Sequence, residues 1–320
     1  MLIVAWETTA ACNLSCRYCR ACATPVPEPD ELDTKEALAF LDSIAPLQPM
    51  LILSGGEPLL RPDIFQIIRH AVSSGLRVSL ASNGTRITPK VADEIAASGV
   101  TRVSISLDDA SAEKHDLSRG PGSFRAALNG VENLRGKVDL QINFTITKKN
   151  ESEVSNIFDL AEKVGAKALH FFFLVPTGRG QEEDLISPER QEELLIQIDQ
   201  ERSRQMEVQV TCAPQYARLA RQGNGRRKGG CLAGKSFVFV SRKGDVYPCG
   251  YFPLLIGNIR ENNFIDIWEN SPELRALRER NLRGKCGRCS FSKGCGGCRA
   301  RAYAKTGDYL GPDPSCRLEV

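Results

Sequence analysis

Apolar residues recur along the first 176 positions in two alternating rhythms. Short runs at 2–9, 50–55, 76–82, 101–108, 138–147 and 168–176, from "LIVAWETT" to "ALHFFFLVP", are rich in β-branched and aromatic residues and read as strands. Between them, segments near 34–46, 62–74, 88–98, 123–134 and 151–164 carry apolar residues at helical spacing. Strand–helix repetition of this kind predicts a parallel sheet with crossover helices. Six strands are too few for a closed eight-fold barrel. The expected class is therefore α/β: a partial (β/α)6 TIM-like barrel, or a doubly wound sheet. Either arrangement gathers functional residues at the C-terminal ends of strands. The polar, glycine-rich groups "TTAACN", "SGGEP", "ASNGT", "SLDD", "TKKN" and "VPTGRG" all fall at such ends.

The rhythm changes after residue 182. Residues 183–207 read as a charged connecting helix. From 208 to 320 apolar runs shorten, while glycine and cysteine become dense. A small segment with little core commonly needs a covalent or metal staple, so a second, cysteine-rich iron–sulfur or zinc domain is expected there.

Composition narrows the partners. The net charge of +3 implies no general polyanion-binding surface, so no nucleic acid is expected. The one basic cluster, "GNGRRKGG" at 223–230, reads as a glycine-flanked surface loop. No stretch approaches the roughly 20 apolar residues of a membrane helix. No secretory signal opens the chain, so a cytoplasmic location and no membrane are expected.

Twelve cysteines in a reducing compartment are poor disulfide candidates. They stand at 12, 16, 19 and 22, then at 212, 231 and 249, then at 286, 289, 295, 298 and 316. Clustering at two separated places indicates metal. Cys12, Cys16 and Cys19 form C-x3-C-x2-C in the loop after the first strand. Structural zinc prefers four ligands, whereas three close thiolates suit three corners of a [4Fe–4S] cubane with one iron open. Among the later cysteines, paired C-x2-C units fit zinc and iron–sulfur equally well.

The cysteine motif, Tyr18 before its last cysteine, and "GGEP" at the second strand end together resemble the radical S-adenosylmethionine superfamily. That resemblance implies that S-adenosylmethionine chelates the open iron and is cleaved to a 5′-deoxyadenosyl radical, with an external low-potential electron donor. It implies that Gly55, Gly56 and Glu57 hold the methionyl amine and that Ser82 and Asn83 contact ribose and carboxylate. Ser106, Asp108 and Asn143 would complete the pocket. Cys22, where the family has a small residue, is expected to be a buried bystander. The C-terminal cysteines resemble a SPASM domain, which implies one or two auxiliary [4Fe–4S] clusters. The expected partition is Cys212, Cys231, Cys249 and Cys298 for one, and Cys286, Cys289, Cys295 and Cys316 for the other.

The stretches "VAWETTAACNLSCRYCRA", "FFFLVPTGRG", "VTCAPQY" and "CGGCRARAYAKTGDYLGPDPSC" further resemble the tetrapyrrole-decarboxylating branch of that superfamily. This implies a small-molecule substrate, Fe-coproporphyrin III, whose two propionates become vinyl groups. Alternatives are a sister tetrapyrrole enzyme such as a didecarboxysiroheme deacetylase or heme d1 maturase, a peptide-modifying SPASM enzyme, and a non-catalytic iron–sulfur or heme carrier. Ionised propionates call for arginine, whose planar fork matches a carboxylate. Arg119, Arg179, Arg299 and Arg301 are the candidates. His170, inside the sixth strand, reads either as a wall residue or as an axial ligand to a substrate iron.

Overall fold

The computed structural model describes residues 1–202, 206–219 and 230–320. The six expected strands are β1 (Ile3–Glu7), β2 (Met50–Ser54), β3 (Arg77–Ser82), β4 (Arg102–Ser106), β5 (Asp139–Ile146) and β6 (Ala168–Phe173). They pair in parallel and in chain order, without the reversal of a doubly wound sheet. The barrel alternative is therefore the one adopted.

The expected helices are present as α1 (Thr34–Ile44), α2 (Ile64–Ser73), α3 (Pro89–Ala97), α5 (Ser123–Leu134) and α6 (Val154–Lys163). A short α4 (Ala112–Arg119) intervenes, and α7 (Pro188–Glu201) forms the connecting segment. Local chemistry sets several ends: Asp33 and Glu36 make a reciprocal capping box on α1, and Thr88 and Ser187 cap α3 and α7 ahead of a proline. The sequence pattern missed α4 because its only buried residue is His115, so it has no apolar stripe.

The sheet does not stop where the composition changes. Strand β7 (Glu207–Thr211) adds in parallel to β6, and β8 (Phe237–Val240) adds in parallel to β1 at the opposite edge. Two short antiparallel strands, β9 (Asp245–Tyr247) and β10 (Gly257–Asn258), follow β8. The order is β10-β9-β8-β1-β2-β3-β4-β5-β6-β7, an open sheet whose C-terminal strands clasp both sides of the barrel. The expected break near residue 207 is thus a change of composition that backbone hydrogen bonds cross.

Alternation along the strands divides the two faces. Trp6, Leu53, Leu80, Ile105, Ile142, Phe144, Leu169 and Phe171 join the core beneath the helices. The alternate set, including Glu7, Ser104, Gln141, Asn143 and His170, faces the barrel interior. Among the described residues no helix is long and apolar enough to cross a membrane. The basic run at 223–230 lies outside the described residues, apart from Gly230.

Phe171 is fully buried, with ring centroids of Phe144 and Phe158 at 5.9 and 5.2 Å. Phe171→Ala is expected to cost about 3–5 kcal/mol. An unshifted midpoint in anaerobic denaturant unfolding would contradict this.

Candidate functional site: a clamped cysteine loop beside a second thiol centre

The loop carrying Cys12, Cys16 and Cys19 leaves β1 with almost no regular structure of its own, and other segments hold it. The Gly56 and Glu57 N–H groups donate to the Thr9 and Ala11 carbonyls at 2.8 and 2.7 Å. A Cβ on Gly56 would stand 2.3 Å from the Ala11 oxygen, so glycine is required by this close backbone approach. From α4, the Ser118 carbonyl accepts the Arg17 N–H. From the loop after β6, Arg179 donates its backbone N–H to Cys19 and its guanidinium to the carbonyls of Cys16 and Ala23 at 2.9 and 3.1 Å. Gly178, at φ +63°, allows that approach.

The three thiols lie within electrostatic range of one another, although among the described residues no three such groups converge to ligand distance. Burial pushes the Cys12 thiol up to about 11, against the pull of the Leu14 N–H, which points at its sulfur from 3.4 Å. Burial also raises Cys16, with Arg119 opposing from 3.9 Å. Asn83 approaches Cys12 at 3.8 Å and bonds Asn13 at 3.0 Å. Donors aimed at sulfur and a guanidinium alongside suit thiolates bound to a cationic cluster, whose capture releases the thiol protons. Cys22 departs from expectation. It is exposed, with φ +48°, because the chain turns outward after Cys19.

Several expected cofactor contacts prove to be supports. Glu57 is wholly enclosed; its oxygens accept from the Ser82 hydroxyl and the Asn83 N–H, both at 2.8 Å. Burial raises its carboxyl, opposed by those donors. Glu57 thereby ties the β2 end to the β3 end. Asp108 is also enclosed, pairing with Arg119 and accepting the Thr145 N–H at 2.9 Å. Burial favours its neutral form, but Arg119 outweighs this and holds it below the usual carboxylate range. Tyr18 is buried beside this pair. Gly55, Gly56, Ser106 and Asn143 remain partly accessible at the strand ends.

The later cysteines gather in two groups. Cys212 lies near Cys298, Cys249 and Cys231. Cys286, Cys289, Cys295 and Cys316 line one small cavity with Lys285 and Arg218. Backbone N–H groups again point at sulfur: Phe291 to Cys289, Gly297 to Cys295 and Asp313 to Cys286, each at 3.4 Å. Asp313, which sequence reasoning missed, is fully buried between the groups. Its carboxylate accepts the Cys298 N–H at 2.6 Å and the Gln215 amide at 2.8 Å.

The candidate substrate arginines are otherwise employed. Arg299 donates to the carbonyls of Gly297, Tyr309 and Gly311, with Cys286 sulfur at 3.8 Å. Arg301 donates to the carbonyls of Cys212, Phe173 and Leu174. Both are buried and fasten backbone carbonyls. Arg119 serves Asp108 and Cys16, and Arg179 the cysteine loop.

His170, on β6, stands beside Gln141 of β5. Arg102 donates to Gln141 Oε1 at 3.4 Å, turning the amide nitrogen toward His170 Nδ1 at 3.0 Å. The other ring nitrogen, Nε2, is buried without a hydrogen-bond partner among the described residues. Burial lowers its pKa to about 4, so the ring stays neutral.

Residues 6–161 match the family model described as the radical SAM superfamily, and residues 231–290 one described as an iron-sulfur cluster-binding domain, SPASM. The chain belongs to the radical SAM superfamily. It is an enzyme of that class, with S-adenosylmethionine and a [4Fe–4S] cluster as cofactors and auxiliary iron–sulfur clusters in its SPASM region. Over 335 residues it is 48% identical to an AdoMet-dependent heme synthase of Methanosarcina barkeri, covering 98% of this chain and 95% of that one. It is 31% identical to a pre-heme d1 synthase of Dinoroseobacter shibae, covering 99% and 86%. The structure of Streptococcus suis SuiB bound to S-adenosylmethionine gives a TM-score of 0.78 over 99% of this chain and 77% of that one. At 18% identity this is a likeness of fold alone.

A Cβ on Gly178 would lie 2.4 Å from the Arg20 carbonyl oxygen. Gly178→Ala is expected to strip iron from the N-terminal cluster selectively, whereas Cys22→Ala keeps full iron and sulfide. Iron counting with electron paramagnetic resonance checks both, and a retained N-terminal signal in Gly178→Ala would refute the clamp.

Proposed function

We propose that this enzyme makes heme b by oxidative decarboxylation of two propionates of Fe-coproporphyrin III. The observation that carries this reading is 48% identity, across 98% of the chain, to an AdoMet-dependent heme synthase. When bound, the cluster and S-adenosylmethionine supply a radical able to abstract hydrogen from an unreactive C–H bond.

Cys12, Cys16 and Cys19 hold three irons, leaving one open. The strand-end backbone at Gly55 and Gly56, kept in place by Glu57, cradles the methionyl end. Ser82 and Asn83 fix the β3 rim, with Ser106 and Asn143 at the next two. Arg119, neutralised in part by Asp108, places positive charge beside Cys16. The Cys212 and Cys286 groups ligate two auxiliary clusters, in the partition expected from the sequence. Each propionate gives up a hydrogen atom and CO2 on becoming a vinyl group, so one electron must leave. An auxiliary cluster is suited to accept it.

Two anaerobic assays test this. Reconstituted enzyme with dithionite, S-adenosylmethionine and Fe-coproporphyrin III is expected to yield 5′-deoxyadenosine, a monovinyl intermediate and heme b by mass spectrometry. Turnover only with didecarboxysiroheme would make it a sister tetrapyrrole enzyme. Replacing Cys12, Cys16 and Cys19 together by alanine is expected to abolish 5′-deoxyadenosine while the auxiliary-cluster signals persist.

A further inference from the structure

A cavity of about 370 Å³ opens beside the cysteine loop and is lined on one side by Arg20 and Ala21, directly after Cys19. Cys249 and Phe252 line another side, and Phe239 of β8 a third. The space therefore touches both the loop of the N-terminal cluster and a thiol of the Cys212 group. Its volume falls in the range of small-molecule sites, about 300–1,000 Å³.

Three cationic side chains border it: Arg20, Arg242 and Lys243. The Arg20 guanidinium lies over the Phe239 ring, 4.4 Å from its centroid. Gly250 leaves room for this stack, since a Cβ there would meet the Phe239 ring at 3.2 Å and Arg20 Nε at 3.3 Å. The buried Glu7 carboxylate is divided between Arg20, at 2.9 Å, and Arg242. Glu28 is divided between Arg242 and Lys243, the latter at 3.4 Å. Asp245, the third carboxylate on the cavity, accepts from Asn258 at 2.8 Å and from the Ser241 hydroxyl at 3.2 Å. Three cations thus face three carboxylates, of which Glu7 and Glu28 are directly ion-paired. Lys243, with 41% of its side chain exposed and a single ion pair at 3.4 Å, is the cation most open to a further carboxylate. Tyr247, partly exposed, offers aromatic surface beside it, while Phe239 and Phe252 are buried in the wall.

We propose that this cavity is the substrate site, and that Arg20, Arg242 and Lys243 receive the ionised carboxylates of a flat macrocycle resting against Tyr247. The proposal rests on the tetrapyrrole reading above and replaces Arg299 and Arg301 as the source of cations. Its location meets the needs of the reaction. A cofactor held by the Cys12, Cys16 and Cys19 loop would reach the cavity from the Arg20 side, and a cluster held with Cys249 would lie close enough to take up the released electron.

The test is a Soret absorbance titration of the anaerobically reconstituted holoenzyme with Fe-coproporphyrin III and with its tetramethyl ester. Arg242→Gln and Lys243→Glu are compared with the parent enzyme. Both substitutions are expected to weaken binding of the free acid at least tenfold, with S-adenosylmethionine binding and cluster spectra unchanged. The ester, lacking the charges, is expected to bind weakly and alike to all three proteins. Lys243 is partly exposed in the turn between β8 and β9, so Lys243→Glu is decisive should Arg242→Gln fail to fold. Parent-like affinity in Lys243→Glu, with intact clusters, overturns the site. If the parent binds didecarboxysiroheme instead, the decarboxylase reading fails and the same variants judge the cavity with that probe. If it binds neither, both fall.

Discussion

Three thiols must be presented together by a loop that has almost no regular structure of its own, and much of the rest of the chain is arranged to hold that loop. Burial makes bare thiolates costly there, so the loop cannot rely on the sulfurs to order it before a cluster binds. Its backbone is instead fixed from outside. Gly56 and Glu57 bind it from the β2 end, Ser118 from α4, and Arg179 from the end of β6. Each clamp comes from a different strand–helix unit, so the site depends on the complete barrel. Preorganisation of this sort places the ligands while keeping the chemistry itself with the cofactor.

Buried arginines are the second theme. Arg301 binds the Phe173 and Leu174 carbonyls at the end of β6 and the Cys212 carbonyl after β7, while Arg299 gathers the turn around Gly297 and Gly311. These donors satisfy carbonyls that irregular, cysteine-bearing segments cannot pair among themselves. A guanidinium near the Cys212 and Cys286 groups also offsets the negative charge expected of thiolate-bound clusters. From the sequence such residues resemble carboxylate receptors; only their surroundings reveal fasteners. Of the cations that border open space, Arg242 and Lys243 lie in a stretch that carried no motif, and Arg20 directly follows Cys19.

Parallel pairing of β8 with β1 and of β7 with β6 makes the cysteine-rich segment an extension of the barrel sheet. The Cys212 group is thereby tied to both sheet edges, since Cys212 follows β7 and Cys249 follows β9. Asp313 then links that group to the Cys286 group through hydrogen bonds in both directions. Relative placement of the thiol centres is thus set by hydrogen bonding, not by a flexible linker.

Much of this was legible in the amino-acid order. Strand and helix positions follow from local periodicity, and the C-x3-C-x2-C thiol loop from cysteine spacing, because both depend on residues close in the chain. The grouping of Cys212 with Cys298 was accessible only by counting thiols in the resemblance. Other features had no local signal. Helix α4 lacks an apolar stripe, the outward turn at Cys22 depends on what holds Cys16 and Cys19, and burial among distant strands keeps His170 neutral. The sequence by itself determined the repeating units and the chemistry of the thiol loop, since periodicity and spacing are short-range properties. Tertiary structure alone decided which charged side chains are fasteners and which face a cavity, because that depends on partners more than a hundred residues away, as Arg20 on Gly250 and Arg301 on Leu174 show.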